Sequence, residues 1–537
     1  VLAAAGAWRA GLAVRMPCLS RDGSLFCWFA RDLGEHGPGV LREGGRIARY
    51  DQHPLFPVAI LLMHRLWRAA GAPDTPWTWQ HAGQLVAWLS GMGVIVLTAA
   101  LAVRLARGLR PDLHPGQPGL WALALAGLLP LNNELSADVM SDQLHLLFYL
   151  AGVYLLVGLR EWRAALGCGL CSGLAFLTRP EGAVVCLSAG LLLGLRLLRQ
   201  RCFQPLALGL AVAAGFLVCA APYWLVLGGL SPKTGKEPVE RFVPAAARPF
   251  EGLGGPLAHQ LDGWYGHLAR RTPSVGNPER GTQPALAALV RREVEWWLAA
   301  PVAAYETVRA GRVVVPLLAI PALWSLRRRV FEEPLVGPLM CMAIHFALTA
   351  VLVSRYGYLS PRHTLVVVAL LIPPAAGTIV EVIERARRAG RVRLAVAAVI
   401  ALPLPLAYYA QRVPNGMDGY IADAARQLRE HDANAGERVL MGGASQRRIA
   451  FYADMRFAPW PEDEPDDRQR FEQLRQHLLD GRPDYFAIEV GGGREIQRNR
   501  ELLEQIMGDG ELGPRLKELF SISAPRDRLL RVFSLRP

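Results

Sequence analysis

The sequence has no internal repeat, no low-complexity stretch and no Asn-x-Ser/Thr sequon. The missing repeat argues against the repeat-built architecture common among transporters. Charge is scarce, at 20% against 52% hydrophobic residues, so the 537-residue chain is too apolar for an ordinary multi-domain soluble enzyme. There is one CxxC spacing, Cys168-Gly-Leu-Cys171. It lies in an apolar run with no second pair, which argues against a metal or redox centre. Cys18 and Cys27 sit in one polar loop and are compatible with a disulfide outside the cytoplasm. The chain opens on Val1 rather than Met, so a start inside a longer natural chain is expected.

What the sequence does have is a series of apolar runs of about 18 to 24 residues, each long enough to cross ~30 Å of hydrocarbon. Residues 1–16 read as the end of a first span. Leu55 to Trp67 is short and amphipathic and reads as an interfacial helix. Further spans read at 82–104, 119–131, 137–159, 164–178, 181–199, 205–228, 311–327, 335–353, 362–383 and 393–410, about eleven in all. The expected fold is therefore a mainly α, polytopic membrane helical bundle.

The net charge of +13 is carried by short arginine clusters between apolar runs, which suits anionic headgroups and topology better than nucleic acid. The clusters are Arg104, Arg107 and Arg110; Arg160 and Arg163; Arg196, Arg199 and Arg201; Arg327 to Arg329; and Arg385 to Arg393. They recur at every second connection. By the positive-inside rule those turns are cytoplasmic, and the loop 17–81, the turns at 131–134 and 178–181, the interval 229–310, the turn 354–362 and everything beyond about 411 are external. The expected division is a transmembrane domain over 1–411 and an external, periplasmic α/β domain over 412–537. In the latter, 423–430 reads as helix and 439–441, 485–490 and 529–535 as strands. Its acidic run 462–467 reads as a solvated loop.

Ionisable groups in or beside spans cost ~2.5 to 3.5 kcal/mol each at a helix centre, so those that remain need a reason. Here they gather on the expected external side: Asp22 and His53 in the first loop, Glu134, Asp138 and Asp142 at the second turn, and Arg179 and Glu181 at the third. Lys233 and Lys236 lie in the long interval, and Arg355, Arg362 and His363 at the last turn. Each has a structural reading too. Asp22 suits a helix N-cap, Arg179 can pair with Glu181 across Pro180, Glu134 and Asp138 can be solvated interfacial acids, and Arg355 and Arg362 can snorkel to headgroups. His53 before Pro54 can end an extended segment. Lys233-Thr234-Gly235-Lys236 lacks the glycine spacing of a phosphate loop, which excludes nucleotide binding there.

Four stretches occur in order along the membrane part: Asp22 ahead of Phe26, Trp28, Phe29, Ala30 and Arg31; His53-Pro-Leu-Phe-Pro57; Phe176-Leu-Thr-Arg-Pro-Glu-Gly182; and Arg355-Tyr356 with Pro361 before a late span. In these the chain resembles the GT-C superfamily, which includes protein O-mannosyltransferases and the lipid A aminoarabinose transferase. The resemblance implies an integral-membrane glycosyltransferase with a polyprenyl-phosphate sugar as donor and an acid of the first external loop as base. Many relatives carry a second acid in that loop. This chain has Gly23 beside Asp22, which leaves Asp22 to act alone or with Asp51 or Glu134.

Chemically, such a transfer needs a carboxylate to take the acceptor proton, for which Asp22 is the candidate. It also needs cations aimed at the leaving phosphate, for which Arg355, Arg362, Lys233 and Lys236 are candidates, with Arg179. His53, Glu134 and Asp138 complete the expected substrate site. A single displacement inverts the anomeric centre. No metal ligand set is expected and no cofactor is required, although a divalent cation is compatible. The expected partners are the lipid-linked donor, an acceptor of open identity and membrane lipids, with no nucleic acid. The expected location is the bacterial inner membrane, the site facing the periplasm. A transporter or lipid flippase, and a non-catalytic assembly protein, stay open as other readings.

Overall fold

The computed structural model describes residues 1–43, 50–109, 114, 116–229, 299–356, 359–391, 393, 397, 401, 404–414, 416, 418–432, 434–443, 445–460, 467–481, 483–491, 494–525 and 527–535. Lys233 and Lys236 lie outside these residues, as do most of the interval 229–310, the side chain of Arg355 and all but the last residue of the acidic run 462–467.

The described chain is mainly helical. Its first part holds α1 (Leu2–Arg15), α2 (Arg21–His36), α3 (Leu55–Ala69), α4 (Pro76–Leu109), α5 (Gly116–Leu128), α6 (Pro130–Ala137), α7 (Asp142–Leu156), α8 (Trp162–Thr178), α9 (Ala183–Gln200) and α10 (Gln204–Leu227). Then come α11 (Ala299–Ala310), α12 (Val314–Ser325), α13 (Val336–Tyr356), α14 (Leu365–Arg388) and α15 (Leu404–Ala410).

Four stretches are long and apolar enough to cross a membrane: Pro76–Leu109, Pro180–Gln200, Gln204–Leu227 and Pro361–Arg388. The α11–α12 pair meets the same test jointly, bent by 112°. Other apolar runs form shorter helices. Pro130 starts a new helix after α5, and the chain turns at Asp138, so the expected spans at 119–131 and 137–159 become three helices of 13, 8 and 15 residues. By length alone the described residues thus offer four or five crossings, against about eleven read from hydropathy.

The connections sort to two ends of the bundle. Near the start of α4, Gln80 meets Tyr452; at its other end Leu109 accepts from Arg329 at 2.9 Å, about 44 Å away by helix rise. Arg160 and Arg196 both pair with Glu333 near that second end. Members of three arginine clusters well separated in sequence therefore meet at one end.

Arg9, in the middle of α1, is fully buried. Its guanidinium donates to Asn133 Oδ1 (2.7 Å), Ser136 Oγ (3.1 Å) and the Ala126 carbonyl (3.3 Å), which ties α1 to the α5–α6 turn. A charge inside a bundle persists where such partners replace water.

The C-terminal part is a five-stranded sheet of order β2-β1-β3-β5-β4 flanked by helices. Its elements are α16 (Gly419–His431), β1 (Val439–Gly442), α17 (Arg447–Ala453), β2 (Arg456–Pro459), α18 (Asp467–Asp480), β3 (Tyr485–Gly491), α19 (Arg494–Gly508), β4 (Leu516–Ala524) and β5 (Arg528–Leu535). β1 pairs in parallel with β2 and β3, through the crossovers α17 and α18, and β5 runs antiparallel between β3 and β4. The expected helix and three strands coincide with α16, β1, β3 and β5. The two others are edge strands, short in β2 and rich in exposed polar residues in β4, so neither carries a sustained apolar pattern.

Arg9→Leu strands Asn133 and Ser136 without their donor. A loss of about 2 to 4 kcal/mol is expected, read as a lower thermal midpoint of the detergent-solubilised protein.

Candidate functional site

The site is built on the N-terminus of α2. Ser20, not Asp22, is the cap: its Oγ accepts from the Gly23 N–H at 3.1 Å. Asp22 is thereby spared the capping role and sits in the first turn, where the helix dipole favours a carboxylate. Its Oδ2 accepts from Arg362 at 2.7 Å, and both side chains keep partial solvent access. Burial pushes the Asp22 carboxyl up, but the Arg362 guanidinium, with Arg21 and Arg447 contributing, outweighs this and holds it below its ordinary value.

Arg362 is itself held by a short 3-10 turn, Pro361–Thr364. Ser360 and His363 form a reciprocal capping box, Ser360 N–H donating to His363 Nδ1 at 3.2 Å, and Thr364 Oγ1 donates to the Pro361 carbonyl at 2.9 Å. Buried His345 adds a contact from its Nε2 to the His363 carbonyl, 3.1 Å. The turn before the late span is therefore a rigid mount for Arg362.

The stretch Phe176 to Gly182 builds the neighbouring wall. Arg179 leaves α8 in an extended conformation ahead of Pro180, forms a short ion pair with buried Asp142 and lies 3.6 Å from Glu181. The expected Arg179–Glu181 pairing is thus present, with Asp142 the tighter partner. Gly182 is required because a β-carbon there would lie 2.2 Å from the Ala175 backbone. Asp142, His145, Arg179, Glu181, Arg362 and His363 line one small cleft. A larger cleft of about 370 Å³ lies elsewhere, between Trp77, Tyr452 and α16.

Asp138 occupies the space beside Gly23. Its Oδ1 accepts from the Ser20 N–H at 3.3 Å and the Val139 N–H at 2.7 Å, and would lie 3.3 Å from a β-carbon at position 23. An acid from the α6–α7 turn therefore lies against the backbone just ahead of Asp22. Glu134 lies one turn earlier, where burial raises its carboxyl and Arg312 and Arg412 partly offset the rise. Asp51 is exposed. His53 is buried with its ring edge-on to Phe176 at 5.2 Å and tilted against Tyr223 at 5.5 Å, an aromatic packing position.

Cys18 and Cys27 are both buried thiols. Cys18 faces the Asp418 carbonyl and Cys27 the Trp79 carbonyl, so packing separates the pair that the sequence left open to a disulfide. Cys168 and Cys171 are free. Among the described residues, one group has metal-ligand geometry: Asp32, Glu35 and His36, with ligand atoms within 4.8 Å of one another. It lies at the far end of α2, roughly 15 Å along the helix from Asp22.

Restoring a second acid with Gly23→Asp would force its β-carbon to 3.1 Å from Ser20 Oγ and its charge toward Asp138. A lower thermal midpoint than for Gly23→Ala is expected. Equal midpoints would show that the carboxylates do not crowd one another.

No family model matches the sequence, and no curated protein matches it. Solved structures do match the fold. ArnT from Cupriavidus metallidurans bound to undecaprenyl phosphate superposes with TM-score 0.60 at 13% identity, over 99% of this chain and 96% of that one. The Archaeoglobus fulgidus oligosaccharyltransferase with zinc and sulfate gives 0.56 at 12% identity, over 98% and 72%. The archaeal oligosaccharyltransferase AglB from the same organism, with an inhibitory peptide and a dolichol-phosphate, gives 0.53 at 10%, over 90% and 69%. The helices, the small C-terminal sheet and these superpositions together show that the chain shares the fold of these solved structures.

Proposed function

We propose that the protein is an integral-membrane glycosyltransferase that moves a sugar from a polyprenyl-phosphate donor to a lipid, glycan or protein acceptor at the periplasmic face of a bacterial inner membrane. The observation that carries this reading is the contact of Asp22 with Arg362: a carboxylate and a guanidinium, each on a rigid turn, beside a second layer of arginine and acids. Structures of the same fold hold undecaprenyl phosphate and a dolichol-phosphate.

In the reaction, Asp22 accepts the proton of the acceptor hydroxyl or amine as that atom bonds to the anomeric carbon. The bond from that carbon to the phosphate oxygen breaks, its electron pair leaves on the phosphate, and the configuration inverts. Arg362 meets the developing negative charge, with Arg179 behind it and Lys233, Lys236 and Arg355 as further candidates.

A carboxylate held below its ordinary value is a weak base. When the phosphate draws the Arg362 guanidinium toward itself, Asp22 loses its counter-charge and gains basicity. Donor arrival and base activation are then one event. His53 supports the α2–α3 region by packing, and Asp138 holds the backbone at Ser20 and Val139. A divalent cation, where present, would find its ligands in Asp32, Glu35 and His36, and no step runs through it.

Incubating membranes with several polyprenyl-phosphate sugars, with products identified by mass spectrometry, tests the activity itself. Asp22→Asn is expected to lower transfer by roughly 10²-fold or more while undecaprenyl phosphate still binds within about threefold. Near-normal turnover would remove Asp22 from the base role. The sign of the pH effect follows from the lowered carboxyl: Asp22 stays ionised through neutral pH and is protonated only below the usual carboxylate range. Arg362→Gln should therefore move the acid limb of kcat/KM upward and weaken undecaprenyl phosphate binding by roughly 10-fold. An unmoved limb would dissociate Arg362 from the base.

A further inference from the structure

The peptide units immediately before α2 are held by side chains from the far end of the chain. The Leu19 N–H donates to Tyr452 Oη at 2.7 Å, and the Leu19 carbonyl accepts from Arg448 at 3.3 Å. Both partners lie on α17, more than 400 residues away, and both are buried. Tyr452 passes the contact on, its hydroxyl donating to Gln80 Oε1 of α4 at 2.6 Å. Arg448 is anchored by Asp418 at 2.6 Å. The Ser20 N–H is taken by Asp138. Residues 19 and 20 are thus clamped from α17 on one side and from the α6–α7 turn on the other, three and two residues ahead of Asp22.

The same domain holds the body of α2. Trp28, 1% exposed, lies edge-on to Phe451 at 5.7 Å and stacks on Phe457 at 6.2 Å, and Arg31 pairs with Asp454. From these contacts we infer that α17 is a positioning element for the base: Arg448 and Tyr452 fix where α2 begins, and so where Asp22 stands relative to Arg362. The inference rests on the glycosyltransferase reading for its consequence, but the clamp is testable without it.

Neither residue touches Asp22, so each acts through the Leu19 peptide. A hydrogen bond to a fixed peptide unit has one geometry, and its loss lets the first turn of α2 shift or fray. Misplacing a catalytic group by about 1 Å can cost 10²-fold in rate. Donor recognition at Arg362, on the other side of the ion pair, is left in place. The expected signature is a fall in kcat with little change in KM for the donor.

The experiment uses the full chain in lipid nanodiscs and compares Tyr452→Phe, Arg448→Met and Arg448→Lys with the unmodified protein. Amide hydrogen exchange over residues 19–26 should rise at least about 10-fold in Tyr452→Phe and Arg448→Met, with the α7 peptides unchanged, and Arg448→Lys should restore part of the protection. Transfer should fall roughly 10- to 100-fold in kcat, with the acid limb of the rate moving upward as the Asp22–Arg362 contact loosens. Unchanged exchange over 19–26 would overturn the inference. So would a loss of activity that merely tracks the folded fraction with the acid limb unmoved. Exchange needs no donor, so a failure of the unmodified chain to transfer any sugar would count against the glycosyltransferase reading alone.

Discussion

The ion pair of Asp22 and Arg362 joins residues 340 positions apart, and the geometry around it depends on keeping those two groups in register. Neither partner is on a loop free to follow the other. Asp22 rides on a helix whose cap is Ser20, and Arg362 on a 3-10 turn closed by the Ser360–His363 box. With both mounts rigid, the carboxylate meets a positive charge that holds it below its ordinary value against the burial that pushes it up. Both side chains of the pair keep partial solvent access.

Helix α2 is the element through which the other parts meet. Its three aromatic rings point to three different partners: Phe26 edge-on to Phe56 of α3, Phe29 stacked on Tyr50, and Trp28 against Phe451 and Phe457 of the C-terminal domain. Aromatic contacts of this kind combine large apolar burial with a preferred geometry. A helix packed on several sides cannot rotate, so the acid at its first turn has one direction to face. The C-terminal sheet domain is accordingly joined to the membrane bundle by buried hydrogen bonds at Leu19 and Gln80 and is more than a tethered appendage.

Charge segregates along the bundle for a related reason. Arginines from well-separated connections converge on Glu333 at one end, while the acids and arginines of the site converge at the other. Arg9 is buried inside the bundle, and it is tolerated because Asn133, Ser136 and a carbonyl replace its water. Gly23 sits in a tight space, where a β-carbon would meet Ser20 Oγ at 3.1 Å, the Val139 carbonyl at 3.2 Å and Asp138 Oδ1 at 3.3 Å.

Composition, hydropathy and charge spacing determined a good deal of this by themselves. Apolar runs between arginine clusters dictate a helical membrane bundle, and β-prone runs in 439–535 dictate three of the five strands. The gathering of Asp22, Asp138, Arg179 and Arg362 on one side followed from the alternation of basic turns, because topology is set by local charge. What only the tertiary structure decided is who meets whom. That Arg362 finds Asp22, that Asp142 takes Arg179, that Asp138 takes the Ser20 N–H and that Tyr452 and Arg448 hold Leu19 are contacts across many helices. They leave no periodic or local trace in the chain, since a hydrogen bond between residues 19 and 452 imposes a requirement on position in space and none on the pattern of the residues between.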